Sequence, residues 1–457
     1  MSGDLLIRDV VVEGRPRRDV RVRAGRIVEI GDGLSGREPI LAGSGGWLIP
    51  GLIDHHIHLL AWAARRRSVR LDGLEGPAVA KALRAAPGQG WIRAVGHHGE
   101  ALDRDRLDRL VPDRPLRVQS TTGGLWMLNS AALDRVLDGE PPPCVERDSD
   151  GRPTGRIWRG DAWLRGRIAQ EAPPLAEVGQ ALARWGVTGV TDASASTGPA
   201  EAALLAGAGL PQRLMLMSAD RLPEDPRYTI GPVKVLLDEH DLPDWDDLAG
   251  HFHAARAQGR ALAVHCVTAA ELALTLAAFE TFGARPGDRI EHGSVIPPDA
   301  VPILARLGLT VVTQPAFVAE RGDRYLAEVD PADQPDLYRC ASLMAAGVRV
   351  AASSDAPYAE ADPWAAMRAA TQRRTASGRP LGPEERVGLA RARGLFLGTF
   401  DDPGGPRRRV AAGAVADLCL LTGPPSEAPF AERPVAATVI AGRLAWSALE
   451  APAHVPA

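Results

Sequence analysis

Pro50-Gly-Leu-Ile-Asp-His-His-Ile-His58 is the stretch that decides how the chain folds. Pro50-Gly51 breaks whatever sheet precedes it, and Leu52–His58 then reads as an apolar strand carrying histidines. On a strand, residues two apart project to the same face, so His56 and His58 point one way and His55 the other. Two imidazoles on one face, within reach of one ion, make a natural zinc pair. His251-Phe-His253 has the same spacing but runs into Ala254-Ala-Arg-Ala-Gln258, a helix-like stretch. On a helix, residues two apart do not face each other, so that pair carries no such meaning.

Beyond residue 180, short apolar strands alternate with Ala/Leu/Arg-rich helical stretches. The strands are Val187–Asp192, Arg213–Ser218, Val233–Leu237, Leu262–Val267, Arg289–Ser294, Thr310–Gln314 and Arg349–Ser354. Helical companions include Glu271–Thr281, Pro298–Leu307 and Leu337–Ala346. Strands nearly continuous in apolar residues, separated by helices, imply a parallel sheet buried on both faces. With Leu52–His58 they number eight, which closes a (β/α)8 barrel of the TIM type.

The ends have another texture. Leu5–Val12, Asp19–Arg23 and Arg26–Ile30 are short strands punctuated by Gly14, Gly25 and Gly31. Ala416–Leu421 and Ala436–Trp446 read the same way, so a small β-sandwich domain built from both termini is expected. The organisation is therefore 1–50 and 406–457 for that domain and 51–405 for the barrel. About 60–180 is an insertion after the first barrel strand, too long for one crossover. It is expected to pack over the barrel mouth.

With 53 basic and 57 acidic side chains the formal net charge is −4, which leaves no electrostatic footprint for nucleic acid or an anionic membrane. The start, Met1-Ser-Gly-Asp-Leu-Leu-Ile-Arg-Asp-Val10, lacks the pattern of a secretory signal, and no apolar run of about 18 residues exists. Cys144, Cys266, Cys340 and Cys419 are scattered without a Cys-x-x-Cys pair, as in a reducing compartment. A cytoplasmic location follows as the expectation. The expected partner is a small-molecule substrate, and the oligomeric state stays open, a homodimer included.

In such a barrel the active site lies where strands end. His265 closes Ala261–His265, His292 closes Arg289–His292, and Asp355 closes Val348–Asp355. Added to His56 and His58, they form a specific constellation of metal-ligating types on strands one, five, six and eight. The series Pro-Gly-Leu-Ile-Asp-x-His-x-His, His265, His292 and Ser354-Asp-Ala-Pro357 resembles the amidohydrolase superfamily. Within it, the chain is similar to the amidohydrolase family 3 group, which includes N-substituted formamide deformylases. Pro112-Asp-Arg-Pro115, Asn129-Ser-Ala-Ala-Leu133, Arg152-Pro-Thr-Gly155, Gln314-Pro315 and Gly413-x-x-Ala-Asp417 carry that likeness. The chain departs from the group at Thr121-Thr-Gly-Gly124, where an Asp-Gly-His-like segment is expected. The likeness therefore does not carry the group's deformylase specificity.

The resemblance implies one or two divalent ions, zinc first. His56, His58 and Asp355 would hold the more buried ion, and His265 and His292 the more exposed one. Lys234 would bridge them as a carboxylated lysine, because a lysine buried between Val233 and Val235 is costly unless modified, paired or neutral. Pairing with Asp238 or Glu239 is the alternative. Zinc lowers the pKa of its water to about 7, and Asp355 is the candidate proton shuttle. The expected reaction is hydrolysis of an amide-type C–N bond, with imides, carbamates and esters as related substrates. His98, Trp126, Gln314, Arg321, Tyr325 and Tyr358 are candidate substrate contacts in loops, and Arg289 and Glu291 candidate supports beside His292. Cys266 should face away from the axis and is no nucleophile. Two other functions remain open. A one-metal deaminase of a heterocycle needs a glutamate near His265, and the first is Glu271. A non-catalytic scaffold should have eroded ligands, and here every position is filled.

Overall fold

The computed structural model describes residues 4–99, 102–168 and 174–449. Eight parallel strands form its centre: β1 (Leu52–Ile57), β2 (Val187–Asp192), β3 (Arg213–Ser218), β4 (Thr229–Val235), β5 (Leu262–Cys266), β6 (Arg289–His292), β7 (Thr310–Thr313) and β8 (Arg349–Ala352). They follow one another in sequence order around a nearly closed barrel. Their burial explains the apolar runs: every residue of β1, β2, β6 and β7 is buried, as a sheet covered on both faces requires. Gly51 opens β1 because a side chain there would strike Thr188 at the start of β2. The ladder is open between β8 and β1, and the gap is bridged beyond the strand ends. Asp355 N donates to His56 O at 2.8 Å, and His58 N donates to Ala356 O at 2.9 Å.

Two helices meet the sequence expectation closely, Ala269–Phe282 and Ala300–Leu307. The third is shorter, Ala341–Ala345, because the buried carboxylate of Glu385 takes the Cys340 and Ser342 N–H groups and fixes the helix start there.

Strands from both ends of the chain share one further sheet. Trp47–Pro50 lies between Leu5–Val12 and Leu418–Leu421, with Ile49 opposite Cys419. Leu5, Ile7, Val20, Val22 and Ile27 from one end pack with Leu418, Leu420 and Val439 from the other in one core.

Residues Leu60–Pro174 form a separate compact unit. It holds a six-stranded sheet that includes Ile92–His97, Leu116–Ser120 and Leu125–Leu128, with helices such as Arg104–Leu110 and Ser130–Val136. One side of the sheet supplies Ile92, Ala94, Leu116, Val118 and Met127 to its own core. Among the described residues no helix is long and apolar enough to cross a membrane.

Candidate metal centre

Strand alternation and strand ends place the site. His56 comes from within β1 and His58 directly follows it, while Asp355 follows β8. Their ligand atoms all lie within 4.8 Å of one another. His58 Nε2 stands 3.1 Å and His56 Nε2 3.5 Å from Asp355 Oδ1, and His292 Nδ1 is 3.9 Å from Oδ2. The His292 ring lies 4.7 Å from that of His56 and 4.5 Å from that of His265. Residues from β1, β5, β6 and β8 thus converge at one end of the barrel.

The protonation state suits a cation. Burial holds the imidazoles of His56 and His292 well below their usual range, with Lys234 and His265 respectively adding repulsion. Burial, reinforced by Lys234, pushes His265 down to about 3. These rings are neutral at physiological pH, the form in which imidazole ligates a metal. Asp355 Oδ1 and His56 Nε2 are buried and have no hydrogen-bond partner among the described residues. Two buried lone-pair donors 3.5 Å apart, with no hydrogen bond to satisfy them, are a donor set that fits a cation.

Lys234 on β4 is buried, and Nζ has no hydrogen-bond partner among the described residues. Burial lowers its pKa. Its ammonium therefore faces the cost of desolvation without the hydrogen bonds that normally offset it. Asp238, the sequence alternative, acts on the electrostatics of His265.

His56, His58 and His292 are held from behind. His56 Nδ1 is hydrogen-bonded to Glu291 Oε2, and Arg289 Nε donates to Glu291 Oε1. Arg289 also donates to His55 O at 3.1 Å. His58 Nδ1 meets Ser194 Oγ at 2.9 Å, and Ser194 N donates to Asp192 Oδ1 at the end of β2. His292 Nδ1 meets Gln314 Oε1 at 2.9 Å, while Gln314 Nε2 donates to Ser353 Oγ. A partner on the second ring nitrogen fixes tautomer and orientation, leaving Nε2 for the ligand. Asp54 accepts from Ser354 N at 3.0 Å and from its hydroxyl, tying β1 to the segment that carries Asp355. Burial raises the Asp54 carboxyl to about 6 despite those bonds.

The remaining candidates fall in different places. Gln314 lies in the connection just after β7, as expected, but is fully buried and hydrogen-bonded to His292. Tyr358 is 46% exposed, with its ring edge-on to His58 at 5.7 Å. Arg321 lies on the helix Ala316–Glu328, stacks on Phe317 at 4.1 Å and donates to Tyr358 O. Tyr325 is on the same helix, its hydroxyl 3.0 Å from that of Tyr338. Trp126 is not in a loop: it sits on Leu125–Leu128 in the core of the Leu60–Pro174 unit, and Nε1 donates to Asp161 at 2.8 Å. His98 is exposed just after Ile92–His97 in that unit. His251 and His253 are exposed on the helix Trp245–Ala257. Cys266 contacts Thr275 and its thiol is pushed up to about 12 by burial, so it is inert. Ser194, Asp54 and Asp192 were not among the sequence candidates.

The chain is 26% identical to an N-substituted formamide deformylase from Arthrobacter pascens, over 93% of this chain and 94% of that protein. It is 25% identical to the putative amidohydrolase YtcJ of Bacillus subtilis, over 84% and 85%. An uncharacterized metal-dependent hydrolase from Pyrococcus horikoshii shares the fold at a TM-score of 0.75, with 20% identity over 93% of this chain and 98% of that one. The model of the amidohydrolase family matches residues 43–445, and the chain belongs to that family, as a metal-dependent hydrolase acting on carbon–nitrogen bonds.

Proposed function

We propose that the chain hydrolyses a small amide, with a divalent ion held by His56, His58 and Asp355 and a second by Lys234, His265 and His292. The observation that carries this is the His56–His58–Asp355 group, whose ligand atoms all lie within 4.8 Å of one another. A divalent ion, zinc by the nitrogen-rich donor set, supplies Lewis acidity and a nucleophilic water near neutral pH. Neutral His56, His265 and His292 donate lone pairs to it without first losing a proton. Lys234 would complete the set as a carbamate: the ammonium loses one proton to become the free amine, Nζ bonds to the carbon of carbon dioxide, and a second proton leaves the nitrogen. The ammonium without a hydrogen-bond partner becomes an anionic oxygen ligand.

Asp355 moves the proton. Its carboxylate accepts a proton as water attacks the carbonyl carbon, then returns it to the nitrogen as the C–N bond breaks. The C–O bond formed and the C–N bond cleaved balance as carboxylic acid plus amine. Glu271 weighs against a deaminase. Its carboxylate caps its own helix, accepting from Val267 N at 2.6 Å and Thr268 N at 3.1 Å, and is not free to protonate a ring.

The test is protein purified without chelator, assayed for metal and for hydrolysis of N-benzylformamide and related amides. Bound zinc or a similar ion, loss of hydrolysis on stripping with dipicolinate and recovery on adding zinc are expected. Hydrolysis by metal-free protein, or unchanged metal content in His56→Ala, overturns the reading.

A further inference from the structure

Two large apolar side chains stand out where the barrel strands end. Tyr358 follows Asp355 above β8 and is 46% exposed; Leu236 follows β4 and is 65% exposed. β4 and β8 lie four places apart in the eight-strand order, so the two residues stand across the mouth from each other. Leu236 stands one position past the end of β4 and two residues beyond Lys234, the spacing at which an extended chain returns to the same side.

Neither exposure comes from a loosely packed loop. Leu237 beside Leu236 is buried, as are Ala356, Ala359 and Ala361 around Tyr358. Tyr358 is fixed twice through its backbone: its N–H donates to Asp355 O at 2.8 Å, and its carbonyl accepts from Arg321. Arg321 is itself stacked on Phe317. The surroundings thus hold an aromatic ring out at the mouth, edge-on to His58. A single exposed leucine means little. Tyr358 on anchored backbone and Leu236 beyond the opposite strand present apolar surface at the strand ends that carry the candidate ligands.

Resting on the amide-hydrolase reading, we propose that Tyr358 and Leu236 form an apolar clamp that selects amides with a bulky uncharged hydrocarbon or aryl substituent. The scissile group sits over His56, His58 and Asp355, and the substituent rises between the two side chains. An aromatic substituent gains most, because it can meet Tyr358 edge-to-face as well as cover it.

The probes are benzohydroxamate and acetohydroxamate, which share a metal-binding head and differ in phenyl against methyl. Their binding to zinc-loaded full-length protein is measured by calorimetry. Burying the extra apolar surface is expected to favour the phenyl probe by about tenfold. Tyr358→Ala and Leu236→Ser should each reduce that ratio to about threefold or less, while Tyr358→Phe keeps it. Acetohydroxamate affinity reports whether each variant retains an intact metal site, and exposed Leu236 tolerates a polar replacement without a folding cost. Equal binding of the two probes by the wild type, or a ratio unchanged in either variant, overturns the clamp alone. Binding of neither probe overturns the metal-hydrolase reading and the clamp with it.

Discussion

Glu291→Gln separates two things the buried carboxylate does at once. Glu291 has no exposed surface, and its two oxygens serve different partners, Oε2 at His56 Nδ1 and Oε1 at Arg289 Nε. A glutamine keeps the shape but offers one acceptor oxygen and an NH2 group, so it cannot accept from both. Arg289, 1% exposed, then carries an uncompensated charge, and breaking a buried pair in this way costs about 3–5 kcal/mol. Loss of the charged acceptor behind His56 is expected to weaken metal binding by about 10–100-fold. The two effects part in the double variant Arg289→Met/Glu291→Gln, which removes the stranded charge. Stability, read by urea unfolding of metal-free protein, should largely return. Zinc affinity, read by competition with a chromogenic chelator, should stay low because His56 still lacks its carboxylate. If Glu291→Gln binds zinc as tightly as wild type, or if the double variant recovers affinity along with stability, the carboxylate only neutralises Arg289 and the reasoning fails.

Three further outcomes are expected. Lys234→Arg, which cannot carry carbon dioxide, should bind only one of the two proposed ions, and gentle mass spectrometry should lose the carbon dioxide adduct expected of the wild type; equal ion content in both proteins counts against a carbamate. Asp355→Asn should cut turnover by about 10²–10⁴-fold while some metal remains bound, and turnover within a few-fold of wild type would remove Asp355 as proton shuttle. Away from the metal centre, burial alone would raise the Glu385 carboxyl, but hydrogen bonds from Ser342 and Cys340 and the Arg339 charge outweigh it and hold it below the usual range. Its stabilisation is thus present above the unfolded value of about 4.3 and is lost as pH falls through the folded one. Glu385→Gln should cost about 1.5–3 kcal/mol near neutral pH by weakening the charged hydrogen bonds to Arg339, Cys340 N and Ser342 N, while Asp336 still pairs with Arg339, and the gap to wild type should narrow in acid. A gap that stays constant in urea titrations down to the acid unfolding of the wild type would refute the linkage.

How much of this could be read from the chain depends on the range over which each interaction acts. The eight barrel strands were legible because burial on both faces forces long apolar runs, as in Val187–Asp192 and Thr310–Thr313. Even so, the start of β4 moves to Thr229, since Pro232 reads as a strand boundary but sits within the strand. The convergence of His56, His58, His265, His292 and Asp355 was legible because each stands at or beside a strand end. Their supports were harder. The partner of His58 is Ser194, 136 positions away, and nothing local to Asp192-Ala-Ser194 marks it as an imidazole acceptor. Gln314 stood out as a polar residue at a strand end, yet sequence could not tell a substrate contact from a hydrogen bond to His292. The sheet of the Leu60–Pro174 unit was mostly hidden, because its strands run from two to six residues and carry Arg, Gly and Pro. Trp126 was misplaced for that reason: Thr121-Thr-Gly-Gly124 is a tight turn, and an antiparallel partner strand begins at Leu125.

The open ladder between β8 and β1 gives the metal centre a second consequence. Those strands are joined by Asp355 N to His56 O, His58 N to Ala356 O, and the Asp54–Ser354 hydrogen bonds. The same residues, or their immediate neighbours, are the candidate ligands of the more buried ion. Closing the barrel and assembling the ligand group are therefore one event, since His56 and His58 reach Asp355 only once the gap is bridged. An ion bound by both strands ties them together, and a ligand that binds only the folded state raises stability with its concentration. Metal removal should then loosen this side of the barrel first: amide exchange should rise at His58 and Asp355 before it rises at β4 and β5, whose ladder is continuous. Uniform exchange around the barrel after stripping would mean that the hydrogen bonds alone hold the gap, and that the ion serves chemistry without serving the fold.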